Sequence, residues 1–402
     1  MTLIRSFCLK KAFLLIIFAV ISVSLYAENI FSLTKPKYLN VRSAAQGGYH
    51  VTDYSDFFTL VRNPAGLGYL KNATMYTGLG VNLSSTSAEA MSCVTGLLRE
   101  KPTDSQKEET AESIDSLLNK GIISIDASLT GPFCAGFVKN GFGFGFFHSN
   151  SCKSLIISET SAGFLTSSEY SIYNGYGFKF NITKNHSLGF GLSIDIFAMM
   201  PEIAYTGELS GLMNALYTRN LDDFPVYALF GASANGGMIY SYRSIFEIAV
   251  VYNNGFAPYY MNSTTYKDYT SNLFNLFKFD FSTPYLFVPE LNAGIAFKLP
   301  CAWTNGVLYD WKLRIDYNNL LSFFSEEKLS RNAVLNLTVG TEVSFFNTII
   351  IRAGMAESYL CAGFGIKLDY LNIDVALYGK EIGNEPGDYH QTNIALSVSF
   401  QK

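Results

Sequence analysis

Charge is scarce in this 402-residue chain: Asp, Glu, Lys and Arg make up 15% of it, against 49% hydrophobic and 15% aromatic residues. No block of Lys and Arg gathers anywhere, so the electrostatic footprint of a nucleic-acid binder is missing. No glycine-rich loop follows a strand and opens a helix. The run Gly141-Phe142-Gly143-Phe144-Gly145 alternates as a strand does, and no nucleotide site or cofactor is read from it. The four histidines, His50, His148, His186 and His390, are dispersed. Neighbours such as His148, Ser149 and Asn150 point to opposite faces of a strand and cannot form a triad by adjacency. Neither an enzyme nor a metal site is expected. The cysteines downstream of the leader described below, Cys93, Cys134, Cys152, Cys301 and Cys361, are odd in number and scattered, which excludes a disulfide framework or a zinc cage as the organising device. Past residue 27 no run of about eighteen apolar residues occurs, so helices are not expected to cross a bilayer.

What is present begins with a leader. Residues 1–27 carry Arg5, Lys10 and Lys11, then an apolar run, then Leu25-Tyr26-Ala27 as a cleavage site, the plan of a secretory signal peptide. Its removal takes the formal charge from -4 to -7.

Apolar residues then recur at every second position. Leu188, Phe190, Leu192, Ile194 and Ile196 alternate with Gly, Ser and Asp; Ile394, Leu396, Val398 and Phe400 oppose Asn393, Ala395, Ser397 and Ser399. A secreted chain this apolar, without helical spans, is expected to close into a transmembrane β-barrel, in which no backbone edge faces lipid. The alternation predicts roughly fourteen antiparallel strands: residues 73–83, 122–138, 142–157, 170–182, 188–199, 226–242, 245–256, 286–299, 308–320, 333–345, 349–355, 360–368, 373–379 and 392–400. Connection lengths give an independent check. The exits of odd strands are long and those of even strands short, as for external loops and periplasmic turns. Residues 356–358 are the one short connection expected on the long side, and 300–307 a somewhat long one on the short side. Facing Lys179, Asp195, Arg314, Asp316, Glu342, Lys367 or Asp374 to lipid would cost about 2–4 kcal/mol for a basic residue at the midplane, less for an acid, so all seven are expected to face the lumen.

Between leader and strands lies a segment with no place in a sheet. It has small residues Ser43-Ala44-Ala45 and Gly47-Gly48, a polar link Thr52-Asp53-Tyr54-Ser55-Asp56, and then Arg62-Asn63-Pro64-Ala65-Gly66-Leu67. This pattern resembles the N-terminal hatch of the FadL family of outer-membrane long-chain fatty-acid transporters, most of all its spirochaete-type branch. The resemblance implies an all-β outer-membrane barrel of about fourteen strands, its lumen plugged by the hatch, with the motif Asn63, Pro64, Ala65 and Gly66 inside. Domains would then be 1–27 signal peptide, 28–71 hatch and 72–402 barrel. It implies passive uptake of long-chain fatty acids or similar hydrophobic molecules, a monomer in outer-membrane lipid, and no cofactor.

Two external loops could capture such a ligand. Residues 200–224 hold Leu212, Met213 and Leu216 at helical spacing above Met199 and Met200; residues 257–285 hold Phe274, Phe277 and Phe279. They stand third and fourth among the long connections, the loops that capture ligand in the family. The same residues would equally serve to fold the loops or to form an aromatic belt. Lys179, Arg314 and Lys367 are candidate lumenal anchors for a carboxylate, or inward charges paired with Asp195, Asp316 or Asp369. Gly131-Pro132 breaks the second strand; in the family a kink in the third strand opens a lateral exit. Two other functions stay open: a surface interaction protein using the polar, helix-prone insertion 84–120, and a water-filled porin.

Overall fold

The computed structural model describes residues 38, 40–70, 73–97, 102–301, 304, 306–324 and 331–402; the leader lies outside this range. The strands are β1 Thr74–Ser85, β2 Ile123–Lys139, β3 Phe142–Ser158, β4 Ser161–Asn181, β5 His186–Gly207, β6 Pro225–Tyr242, β7 Phe246–Phe256, β8 Pro258–Thr265, β9 Tyr285–Leu286, β10 Glu290–Leu299, β11 Leu308–Tyr317, β12 Leu337–Phe345, β13 Ile349–Ala356, β14 Tyr359–Lys367, β15 Leu371–Glu381 and β16 His390–Gln401. Each of β1 to β6 pairs antiparallel with the next, β7 pairs with β10, the series continues to β16, and β16 pairs with β1. Fourteen strands therefore close a ring. The other two extend its wall on the loop side: β8 continues above β7 along the same edge of β6, at residues 225–231, and β9 pairs with β8.

The short helices are α1 Val41–Ala44, α2 Thr59–Arg62, α3 Ala88–Leu97, α4 Asp104–Leu118, α5 Leu209–Thr218 and α6 Tyr266–Ser271. Thr103 and Gln106 cap α4 reciprocally.

Alternation decides which way each side chain points. On β5, Gly189, Gly191, Ser193, Asp195 and Phe197 are buried while Leu192, Ile194 and Ile196 are exposed. The exposed set continues around the wall through Phe178, Met238, Ile351, Leu396 and Phe400, an apolar band facing outward. A closed ring with such a band is the architecture of outer-membrane barrels, since lipid takes the place of a core. All seven charged positions expected to face inward lie on the inward parity of their strands.

Several expected bounds need correction: residues 200–207, expected in a loop, continue β5, residues 258–265 of the next expected loop form β8, and residues 333–336 form a 3₁₀ turn before β12. The fourth strand starts at Ser161, not 170, so the β3–β4 connection is only Glu159-Thr160, a second short link on the long side. The stretch 161–169 is rich in Ser, Thr and Gly and has little apolar alternation; pairing with both neighbours extends it all the same. Residues 286–289 lie outside β10, because Leu286 pairs into β9.

β4 and β5 have 21 and 22 residues. About 9–11 suffice to cross a bilayer. Their loop-side ends rise past its hydrocarbon core, and there protein covers part of the outward parity. Ile123, Ile156 and Ala162, outward on β2, β3 and β4, pack with Ile114 and Leu117 of α4 and Leu209, Leu212 and Ala215 of α5. Val226 and Ala228, outward on β6, are fully buried beneath Leu276 of the fourth loop.

Candidate functional site

Residues 40–70 touch all fourteen ring strands. Phe57 stacks on Tyr76 of β1 and abuts Gly136 of β2; Leu60 meets Gly143 of β3 and Gly175 of β4; Pro64 meets Gly191 of β5. Asn63 meets Gly237 of β6, and the Tyr54 hydroxyl donates to Glu247 of β7. Val51 approaches Gly294 of β10 and donates its N–H to Asp316 of β11. Arg42 reaches Glu342 of β12, Gln46 lies against Gly354 of β13, Ala45 against Gly363 of β14, and Val41 packs with Ala376 of β15 and Ala395 of β16. A segment that meets every strand of a closed ring lies within it.

Glycine makes room for it on two opposite sides. Gly177, Gly191 and Gly237 on β4, β5 and β6 accept the backbone and side chain of Asn63-Pro64-Ala65; Gly340, Gly354 and Gly363 on β12, β13 and β14 accept Ala45 and Gln46. A methyl group at any of the six would overlap the segment. The Asn-Pro-Ala-Gly motif shapes the first contact. Asn63 is fully buried, caps the 3₁₀ turn Pro64–Tyr69 by accepting from the Ala65 N–H at 3.0 Å, and donates to Val51 O at 2.8 Å. Pro64 stands first in that turn, where it has no N–H to lose.

Charge fixes the second contact. Arg42 forms a two-pronged pair with Glu342, both bonds 2.8 Å, and lies 2.7 Å from Asp56 and 3.2 Å from Asp53. Arg62 holds Asp53 at 2.9 Å and also bonds Asp56. Arg314 reaches Gln46 at 2.6 Å and Asp53 at 3.3 Å, and Arg352 bridges Glu342 and Asp374 at 2.7 and 2.6 Å. Four arginines face four carboxylates. Burial pushes the Asp53 carboxyl up, but Arg42, Arg62 and Arg314 outweigh it and hold it well below the usual carboxylate range. His50 pairs with Asp316 beside this network.

On the turn side of the segment lie two cavities of about 200 Å³ each. Lys367 and Arg352 line one; Lys298, Lys312 and Glu247 line the other. On the loop side the inward wall differs. Phe197, Met199 and Leu229 are buried there, Phe197 5.6 Å from Phe287, whose ring stacks on Tyr259 at 4.3 Å; two buried carboxyls, Glu169 in register with Met199, and Glu202, share this level. Between this apolar wall and Asn63 sit Asp195, Ser233 and Asn235, with Asp195 accepting at 2.9 and 3.0 Å. The ladder also breaks in one place: between Thr130 and Ala135, β2 sets four residues against two of β3. The aromatic cluster of Tyr38, Phe57, Phe58, Phe147 and Tyr173 packs inside that break, with Cys134.

The sequence-derived candidates separate. Met199 faces inward, but Met200 faces outward and packs with Val226 and Phe279. Leu212, Met213 and Leu216 join the helices that cover the outer face. Phe274 is 75% and Phe277 44% exposed. The third and fourth loops thus do not gather these residues into one groove. Arg314 takes its partner from the inner segment, Asp53, rather than from Asp316, which His50 occupies. Lys179 stands over the Tyr69 ring at 4.6 Å, and Lys367 opens to the turn-side cavity. Asp53 and Arg62 entered the sequence reading only as part of the hatch-like pattern and His50 only as a dispersed histidine; Arg42 and Gln46 were not singled out. Nothing in a polar, non-periodic stretch marks which of its charges a distant strand will take.

No protein-family model matches the chain, and no curated protein matches it. Among solved structures it is similar to the Pseudomonas putida toluene transporter TodX, at 11% identity over 91% of this chain and 98% of that one, TM-score 0.45. It is also similar to the Ralstonia pickettii toluene transporter TbuX, at 11% identity over 89% and 96%, TM-score 0.44, and to a Pseudomonas aeruginosa FadL homologue, at 10% identity over 89% and 95%, TM-score 0.38. The closed ring and its outward apolar band, rather than these likenesses, define the architecture.

Proposed function

We propose that the chain carries hydrophobic small molecules, long-chain fatty acids among them, passively across the outer membrane, with residues 28–71 acting as a hatch. One observation carries the reading: the ring is occupied by a segment seated on every strand, while the wall above it is lined by Phe197, Met199 and Leu229. A general porin needs an open polar lumen, and a plug denies it one. An apolar wall above a plug suits a ligand that leaves water on entry, where each buried methylene contributes about 0.8 kcal/mol. The tail would lie against Met199 and Leu229 once the packing that now buries them moves aside, with its polar end toward Asn235 or the rim. The arginines offer a carboxylate little, since each is already matched by an acid. A way out at the broken ladder between Thr130 and Ala135 would require the Phe57, Phe58 and Phe147 rings packed inside it to move, but not the ion network.

The test is binding of a fluorescent long-chain fatty acid to the refolded barrel and to Met199→Glu and Leu229→Glu, with folding checked by heat-modifiable migration. Saturable binding weakened tenfold or more, about 1.4 kcal/mol, supports the reading. No saturable binding by a folded barrel removes fatty acids as ligands, and equal binding by the variants removes the inner wall as the site.

A further inference from the structure

We infer that the fourth external loop is seated in the outer leaflet of the membrane, where Phe274, Phe277 and Phe281 contact lipid chains. Parity places the loop outside the wall. Val226 and Ala228 share the outward face of β6 with Phe230 and Met238, and both are fully buried because Leu276 sits on them. Asn262 of β8 opposes Ala228 on that same face, and its side-chain amide donates to the carbonyls of Asn275 and Leu276 at 2.9 and 3.1 Å. The loop is thus bonded to the outside of the barrel instead of arching over its mouth.

Height places it at the membrane boundary. From Tyr242 at the turn end of β6 to Phe230 is 12 residues. At about 3.3 Å per residue and a tilt of roughly 45° this rises about 28 Å, close to the roughly 30 Å thickness of the hydrocarbon core. Phe230 therefore marks the upper edge of the apolar band, and the loop continues that band. Phe279 lies 6.5 Å from Phe230 and 6.0 Å from Phe281, and Phe281 meets Tyr260 at 4.9 Å. Phe281 is 61% exposed and Leu273 49%, beside Phe274 and Phe277. Such a cluster, contiguous with a lipid-facing wall, is out of place in water and suits the interfacial level where aromatic residues collect. The occupant is outer-leaflet lipid, because the surface it extends is already lipid-covered. The inference goes beyond the proposed transport function and does not depend on it.

Tryptophan quenching in lipid nanodiscs tests it. Trp303 and Trp311 are replaced by Phe, and single tryptophans are introduced as Phe274→Trp and, separately, Phe281→Trp. Phe230→Trp serves as the wall standard, and Tyr389→Trp, in the loop before β16, as the aqueous one. Brominated acyl chains are expected to quench positions 274 and 281 comparably to 230, while aqueous iodide quenches only 389. Quenching of 274 and 281 by iodide and not by brominated chains overturns the inference. So does quenching by neither, which would mean that protein covers them.

Discussion

Replacing Arg42 by Met tests whether charge holds the inner segment in place. Its guanidinium makes the two-pronged pair with Glu342 and lies within salt-bridge distance of Asp56 and Asp53, with the side chain only 14% exposed. Removing one partner of a buried pair costs about 3–5 kcal/mol. Arg352 still serves Glu342, and Arg62 and Arg314 still serve Asp53, so the lower end applies. Roughly 3 kcal/mol shifts the seated-to-released equilibrium about a hundredfold. Arg62 is 4% exposed inside the ring and becomes a trypsin site only on release. With opening fast relative to cleavage, the rate of cutting after Arg62 should rise about as much as the released population. Arg42→Lys, which keeps the charge but loses the fork, should fall between. Unchanged cleavage in an Arg42→Met barrel that still migrates as folded would refute the argument that this network seats the segment.

The glycine seats give a steric counterpart. Gly191→Leu is expected to expel the Asn63-Pro64-Ala65 turn while leaving the lipid face of β5 intact, which amide exchange at residues 51–66 in the folded barrel would report. Acid should also loosen the segment. Because the Asp53 carboxyl is held below its unfolded value, its stabilisation is complete above about pH 4 and is lost as pH falls below that; release of the segment at pH 5 as readily as at pH 3 would speak against its role. On the outside, Leu212→Asp in α5 should cost about 2–5 kcal/mol of local stability and expose α4 to proteolysis without unfolding the ring.

Strand number, closure and the inward placement of Asp195, Arg314, Asp316, Glu342 and Asp374 were legible because lipid on one face forces a strict period of two. Small residues opposite it are visible in the sequence, but which of them, Gly177, Gly191 and Gly237 among them, seat the inner segment, and which residues fill them, could not be read. Arg314 and Asp53 are 261 positions apart, and no local pattern links a loop aspartate to a strand that far away. The extension of β4 to Ser161 was hidden because a Ser/Thr/Gly run carries no face to alternate. The loops misled for the opposite reason. Leu212 and Leu216 do lie at helical spacing, but the strands outrun the bilayer with their alternation intact, and these residues replace lipid on the outer face instead of forming a groove.

The central claim is that the barrel excludes water-soluble molecules while admitting hydrophobic ones, and proteoliposomes measure both together. Swelling in a small sugar and equilibration of a hydrophobic fluorophore are followed in the same preparation. The account predicts no swelling above protein-free vesicles and a saturable acceleration of the fluorophore. Swelling at porin-like rates with no acceleration of the fluorophore would contradict it.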